Sequence, residues 1–298
     1  MSSQEKISER VKIDGRYYGS LVVEKFTSVS ETYRTAESGR SLIELAYGGN
    51  YRGAQAFYGE TSERNAVHHC ERGITESHMK PARDLVNQID ASFRDRAIDQ
   101  WHPSLMGAYP MVGDYLAGAP DSMRIRAREE NNVAPIKYYI ECVVSGGTGQ
   151  AELERRAAGI AALIMRTAEE RPVELHALVA LQRSGAGYIG TVPIETHPVD
   201  LMNTIAVFAT RQYCRAVAFK LASVATDVDM MAGCDWLFGH PTQHGNSHRE
   251  REFRKYLNLD PQDVVMQGGY LTDAYEFGSD PVSWVHKQIE KQRSMEDV

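Results

Sequence analysis

"IKYYIECVVSGGTGQAELERRAAGIAALI", Ile136 to Ile164, runs from an apolar segment through a glycine-rich turn into a helical pattern. Ile136 to Val144 reads as a buried strand. Leu153, Ala157, Ile160, Ile164 and Ala168 then recur at the spacing that lines one face of a helix with apolar side chains, and the pattern stops at "EERP". Working outward, "VELHALVAL" alternates Val173, Leu175, Ala177 and Val179 on one face, "SGAG" turns the chain, and "YIGTVPIE" is a second strand, so these two are expected to form a hairpin. A second long helix is expected from near Val199 towards Ala222, with Leu201, Ile205, Phe208, Gln212 and Arg215 roughly in line. The apolar piece "DVVMQGGYL" and a closing helix from Pro281 follow, proline being suited to a first helical position. This order predicts an α/β fold: a mixed sheet with an antiparallel edge hairpin, flanked by helices.

On the N-terminal side the β-rich run Tyr17 to Phe26 leads into a Ser/Thr-rich stretch suited to capping a short helix. "SERNAVHHCERG" and "MKPARDLVNQIDASFRDRAID" read as two helices, the second with Ala82, Leu85, Val86, Ile89, Phe93 and Ala97 at helical spacing. From Trp101 to Asp121 glycines and prolines stand between aromatic residues, which predicts a long structured loop or a set of short strands. The charged run "RIRAREENN" reads as a solvated face. Together these features suggest a smaller α+β region over residues 1–132 with aromatic and glycine-rich loops, before a layered α/β domain over 133–298.

The 298 residues carry a net charge of −7, which argues against a surface that is basic throughout and leaves room for a local basic groove. No run approaches the roughly 18 to 20 apolar residues of a membrane span. "MSSQEKISER" has charges where a secretory leader would be apolar, so no membrane association and a cytoplasmic location are expected. Cys70, Cys142, Cys214 and Cys234 are far apart and form no CxxC pair, so reduced thiols are expected.

The glycine-rich turn invites a phosphate. A Walker-type loop needs GxxxxGK[ST], yet Gly149 is followed by Gln150; the GxGxxG fingerprint fails because Glu152 stands at the third glycine. Glu152 also sets a negative charge at the helix N-terminus, which stabilises the helix and repels phosphate. The turn is therefore read as structural. A second cluster, "CDWLFGHPTQHGNSHRE", places Cys234 before His240, His244 and His248, all suitable zinc ligands, although Pro241 and Gly245 interrupt the helix that would align them. "HHC" at His68, His69 and Cys70 spreads its side chains around a helix. No GxSxG elbow and no HExxH pair is present, and no cofactor other than that zinc is suggested.

Nucleic acid is the remaining class. Bases stack on aromatic rings while arginine and lysine meet phosphates, so aromatic residues interleaved with cations are the useful signal. Arg16, Tyr17 and Tyr18 in "GRYYGS", Tyr51 and Arg52 in "YGGNYRGAQAFYG", and Arg211, Tyr213, Arg215 and Lys220 in "RQYCRAVAFK" have that character. The last group shares an amphipathic helix, where the aromatic residues are expected to enter the core.

"FYGETS" from Phe57, Trp101, "GDYLAGAPDSM" from Gly113, "IKYYIECVVSG", "RRAAGIAALIMRTAEERPVELHAL" and "PVDLMNTIAVFATRQYCRAVAF" together resemble a domain of unknown function found in phages and plasmids, among them tailed phages of the enquatro type. The resemblance covers about Lys25 to Val224 and extends towards the closing helix. It implies an early phage accessory protein of transcription or replication that binds single-stranded DNA or recruits a phage polymerase, and it implies no catalytic residues. The C-terminal half also resembles a von Willebrand A-like layer whose metal site has degenerated, since the aspartate of DxSxS is missing from "CVVSGGTG". The expected activity is thus a non-enzymatic, DNA-binding accessory role. The alternatives are a protein-interaction or virion module on the von Willebrand A-like layer and a metal-dependent enzyme using the His240 cluster.

Overall fold

A computed structural model describes residues 3–7, 11–13, 16–18, 20–38, 58–60, 63–71, 101–104, 109–110, 122–126, 135–143, 148–183, 186–196, 200–226, 247–266 and 281–296, with positions 80, 83–84, 87–88 and 116. Six strands form the main sheet: β1 (Ser3–Ile7), β4 (Ser20–Lys25), β8 (Ile136–Glu141), β9 (Val173–Arg183), β10 (Ala186–Ile194) and β11 (Val264–Met266). Their order is β1-β4-β10-β9-β8-β11. β8 runs parallel to its neighbours β9 and β11, while β9 and β10 are the antiparallel hairpin. β10 is parallel to β4, and β4 is antiparallel to β1. The mixed α/β sheet with its hairpin is therefore as expected, but the hairpin stands inside the sheet rather than at its edge. Two N-terminal strands add beyond β10, so the sheet is continuous across residue 132.

The run Tyr17 to Phe26 divides. Arg16–Tyr18 is β3, paired with β2 (Val11–Ile13) in a separate two-stranded ribbon, while Ser20 onward enters the main sheet as β4. The aromatic segment after residue 100 forms three short strands, β5 (Trp101–Ser104), β6 (Tyr109–Pro110) and β7 (Met123–Arg126), in the order β5-β7-β6. Arg124 and Arg126 of the charged run thus belong to a strand.

Helix starts follow local chemistry. α1 (Val29–Ser38) opens with Ser28 Oγ accepting from the Glu31 amide at 3.3 Å, while Glu31 Oε2 reaches back to the Thr27 amide at 2.8 Å. α2 (Glu63–Glu71) follows; of the next expected helix, the described positions 80, 83–84 and 87–88 are helical. α3 is Gln150–Glu170. The single long helix expected from Val199 is instead three elements: α4 (Leu201–Ala209), a buried π-helical segment (Gln212–Val217) and α5 (Ala218–Thr226). Thr210 causes the break. Its backbone is extended, its hydroxyl donates to the Ala206 carbonyl at 2.6 Å, and the same oxygen accepts from the Tyr213 amide at 3.2 Å, an alternative to the regular ladder. α6 (Ser247–Leu257) and α7 (Pro281–Glu296) complete the chain.

The helices divide unequally over the sheet. α1 to α5, the π-helical segment and α7 bury one face, where Val22, Tyr138, Ile140, Leu175, Val179, Phe208, Tyr213 and Trp284 share a continuous core. The opposite face packs Leu21, Val23, Leu178, Ala180 and Ile189 against Phe253 and Leu257 of α6. Strand periodicity explains the split, since Leu21 and Val23 point away from Val22. Among the described residues no helix is long and apolar enough to cross a membrane.

Candidate nucleic-acid interface

The sequence of α6, "SHREREFRKYL", carries four Lys/Arg against two Glu in a chain whose net charge is −7. Phe253 and Leu257, one turn apart, are buried and fix its apolar side on the sheet. That orientation turns Arg251 and Lys255 outward, and both are exposed. The helix ends where Asn258 takes the left-handed conformation (φ 52°) and the Leu259 amide donates to the Arg254 carbonyl at 2.9 Å, with Leu259 packed on the Phe253 cluster. The Arg254 guanidinium ties down the next turn, with Nη1 donating to the Asp260 carbonyl at 2.9 Å and Nη2 to that of Asp263 at 2.8 Å. Lys255 Nζ lies 5.0 Å from the centre of the half-buried Tyr256 ring.

The β2–β3 ribbon lies beside this helix, in contact through β2. Its antiparallel register sets Lys12 opposite Tyr17, Ile13 opposite Arg16 and Val11 opposite Tyr18. A ribbon containing Arg16, Tyr17 and Tyr18 and a helix presenting Arg251 and Lys255 thus meet on one side of the molecule.

Other expected residues fall elsewhere. Tyr51 and Arg52 lie outside the described residues. Arg211 is half-buried, and Arg215 is a correction: it is fully buried, and its Nη2 donates to the Thr148 carbonyl at 3.1 Å, joining the π-helical segment to the turn before α3. Tyr213 is buried with its hydroxyl 3.1 Å from Thr32 Oγ1, and Lys220 is buried too. Cys234, His240 and His244 also lie outside the described residues, while His248 falls in the first turn of α6. Among the described residues no three His, Cys, Asp or Glu side chains are grouped to hold a metal ion.

The N-terminus of α3 caps itself. Gly149 is the N-cap, and its amide donates to Glu152 Oε2 at 2.8 Å, so a carboxylate already sits where a phosphate would bind. Gln150 Nε2 donates to the Ala209 carbonyl at 2.8 Å, and the Arg156 guanidinium donates to the Glu141 carbonyl. Cys70, Cys142 and Cys214 are buried free thiols. Burial raises all three pKa values, that of Cys214 to about 11, which leaves little thiolate for nucleophilic chemistry.

Beyond the end of α6, Tyr139 of β8 and His176 of β9 stack with ring centres 4.8 Å apart. Burial, then nearby Asp263, pushes the Tyr139 phenol up to about 12. Burial lowers the pKa of His176 despite the Glu174 carboxylate 3.6 Å from its Nε2. Arg251, Lys255 and Tyr256 were not singled out from the sequence. The usable signal was the alternation of cations with Phe253 and Tyr256 after Gly245, which the three neighbouring histidines overshadow.

Residues 6–270 match the family described as Domain of unknown function (DUF7192), and the chain belongs to it. The match spans both the β2–β3 ribbon and α6. No curated protein and no solved structure matches the chain.

Proposed function

We propose that this chain is a non-enzymatic accessory protein that binds single-stranded DNA across the face formed by α6 and the β2–β3 ribbon. The observation that carries the reading is the contact of β2 with α6, which brings a ribbon whose sequence holds Lys12, Arg16, Tyr17 and Tyr18 to the helix that carries the exposed cations Arg251 and Lys255. Such a face gains affinity from the release of phosphate counterions and tolerates sequence, because every base offers a π-face. The phage-family resemblance supports service in phage transcription or replication. Hydrogen exchange with and without an oligo-dT strand tests the location: protection is expected over residues 11–18 and 247–257. Protection confined to other segments would overturn it.

A second reading is a protein-interaction or virion module on a von Willebrand A-like layer, with a protein partner and no nucleic-acid role. It is favoured by the order β10-β9-β8-β11 with β10 alone reversed among these four, the arrangement of a von Willebrand A-like layer. Mapping of that partner to the C-terminal ends of β8 and β9, with no effect of oligonucleotide anywhere, would favour this reading.

A further inference from the structure

We propose that Tyr256 is the base-stacking residue of this face, with Arg251 and Lys255 holding the phosphates that flank the stacked nucleotide. The inference rests on the nucleic-acid reading of the same face and adds to it which side chain takes the base. Tyr256 is half-buried and packs against the Phe253 and Leu257 cluster, while the Lys255 ammonium approaches its ring at 5.0 Å from the centre. The ring is thus supported by the core and engaged by a cation. A cation over a partly exposed ring is a weaker interaction than a stacked base, so a base can take that place while Lys255 swings to the adjoining phosphate.

The support is rigid. Phe253 and Leu257 seat the helix, Asn258 closes it in the left-handed conformation, and Arg254 straps the following turn through two carbonyls. A preorganised ring loses little freedom on binding. Arg251 and Lys255, four residues apart, are separated by about 6 Å along the helix axis and lie on one exposed side.

The test uses the full chain and an oligo-dT strand carrying one 2-aminopurine. On binding, wild-type protein should change the 2-aminopurine fluorescence as the base stacks on the ring. Tyr256→Trp and Tyr256→Phe should keep affinity within about twofold, whereas Tyr256→Leu, which retains apolar packing, should lose about tenfold, the size of one base stack. Salt dependence should be unchanged in Tyr256→Leu, since no phosphate contact is lost, and should flatten by about 0.7 in slope in Lys255→Ala. Wild-type affinity in Tyr256→Leu, or binding with no fluorescence change in the wild type, would overturn the stacking role and leave the basic face standing. A duplex competing as well as the single strand would also overturn it, because paired bases cannot reach the ring. Absence of binding by the wild type would sink both readings. Should Tyr256→Leu fail to fold, the wild-type fluorescence and the Trp variant decide.

Discussion

Replacing Arg251 and Lys255 together by alanine is expected to weaken binding of a single-stranded oligonucleotide roughly 50-fold at about 0.05 M salt and only roughly sevenfold at about 0.2 M. The reasoning is counterion release: each phosphate neutralised on a single strand contributes about −0.7 to the slope of log K against log salt, so two lost contacts remove about 1.4. The effect of the substitutions must therefore shrink as salt rises. Both side chains are exposed, so the thermal midpoint should scarcely move. Anisotropy titrations of the double variant at the two salt concentrations check this. An equal loss at both, or no loss, would show that these cations do not meet phosphates.

Phe253→Ala is expected to produce the largest loss of stability, about 3–5 kcal/mol. Phe253 is among the largest fully buried side chains, and it meets Leu21, Val23, Leu178, Ala180 and Ile189 on the face of the sheet that α6 covers. Truncation leaves a cavity there and removes a ring from the cluster on which Tyr256 and Leu259 pack. Against a typical domain stability of about 5–15 kcal/mol, such a loss lowers the midpoint by on the order of 10 °C and unseats α6 first. Denaturant unfolding with exchange over residues 247–257 measures it. The contrast with the double charge variant is diagnostic, because one loses binding with its fold intact and the other loses both together. A change below about 1 kcal/mol would mean that α6 is not anchored by this residue.

Local pattern carried much of this fold. The strand Ile136–Glu141, the helix after Gly149 and the alternation Val173, Leu175, Ala177, Val179 were legible because burial on one face repeats with the period of the element. Leu178 and Ala180, on the other side of the same strand, are equally buried because α6 covers them, and alternation alone cannot reveal a second cover. The parallel pairing of β4 with β10 joins residues more than 160 positions apart, from Ser20 to Ala186, and no local signal encodes it. Hence the hairpin looked like an edge. The break at Thr210 depends on side-chain hydrogen bonds that compete with the helical ladder, which a spacing rule ignores.

The candidate face was half legible. Arg16, Tyr17 and Tyr18 stood out as cations among aromatic residues, but the contact of their ribbon with α6 through β2 joins segments more than 230 positions apart, which no local signal encodes. Arg215 shared the same composition and proved to be a buried brace to Thr148, since an arginine on a helix reads alike whether it faces solvent or a carbonyl inside.

The most direct test of the account is anisotropy of a labelled oligo-dT strand titrated with wild-type protein across a salt series. Binding that weakens linearly in log K with log salt, with a slope of at least about −1.4 from the two α6 cations alone, is the predicted result. No binding at the lowest salt, or binding indifferent to salt, would contradict it.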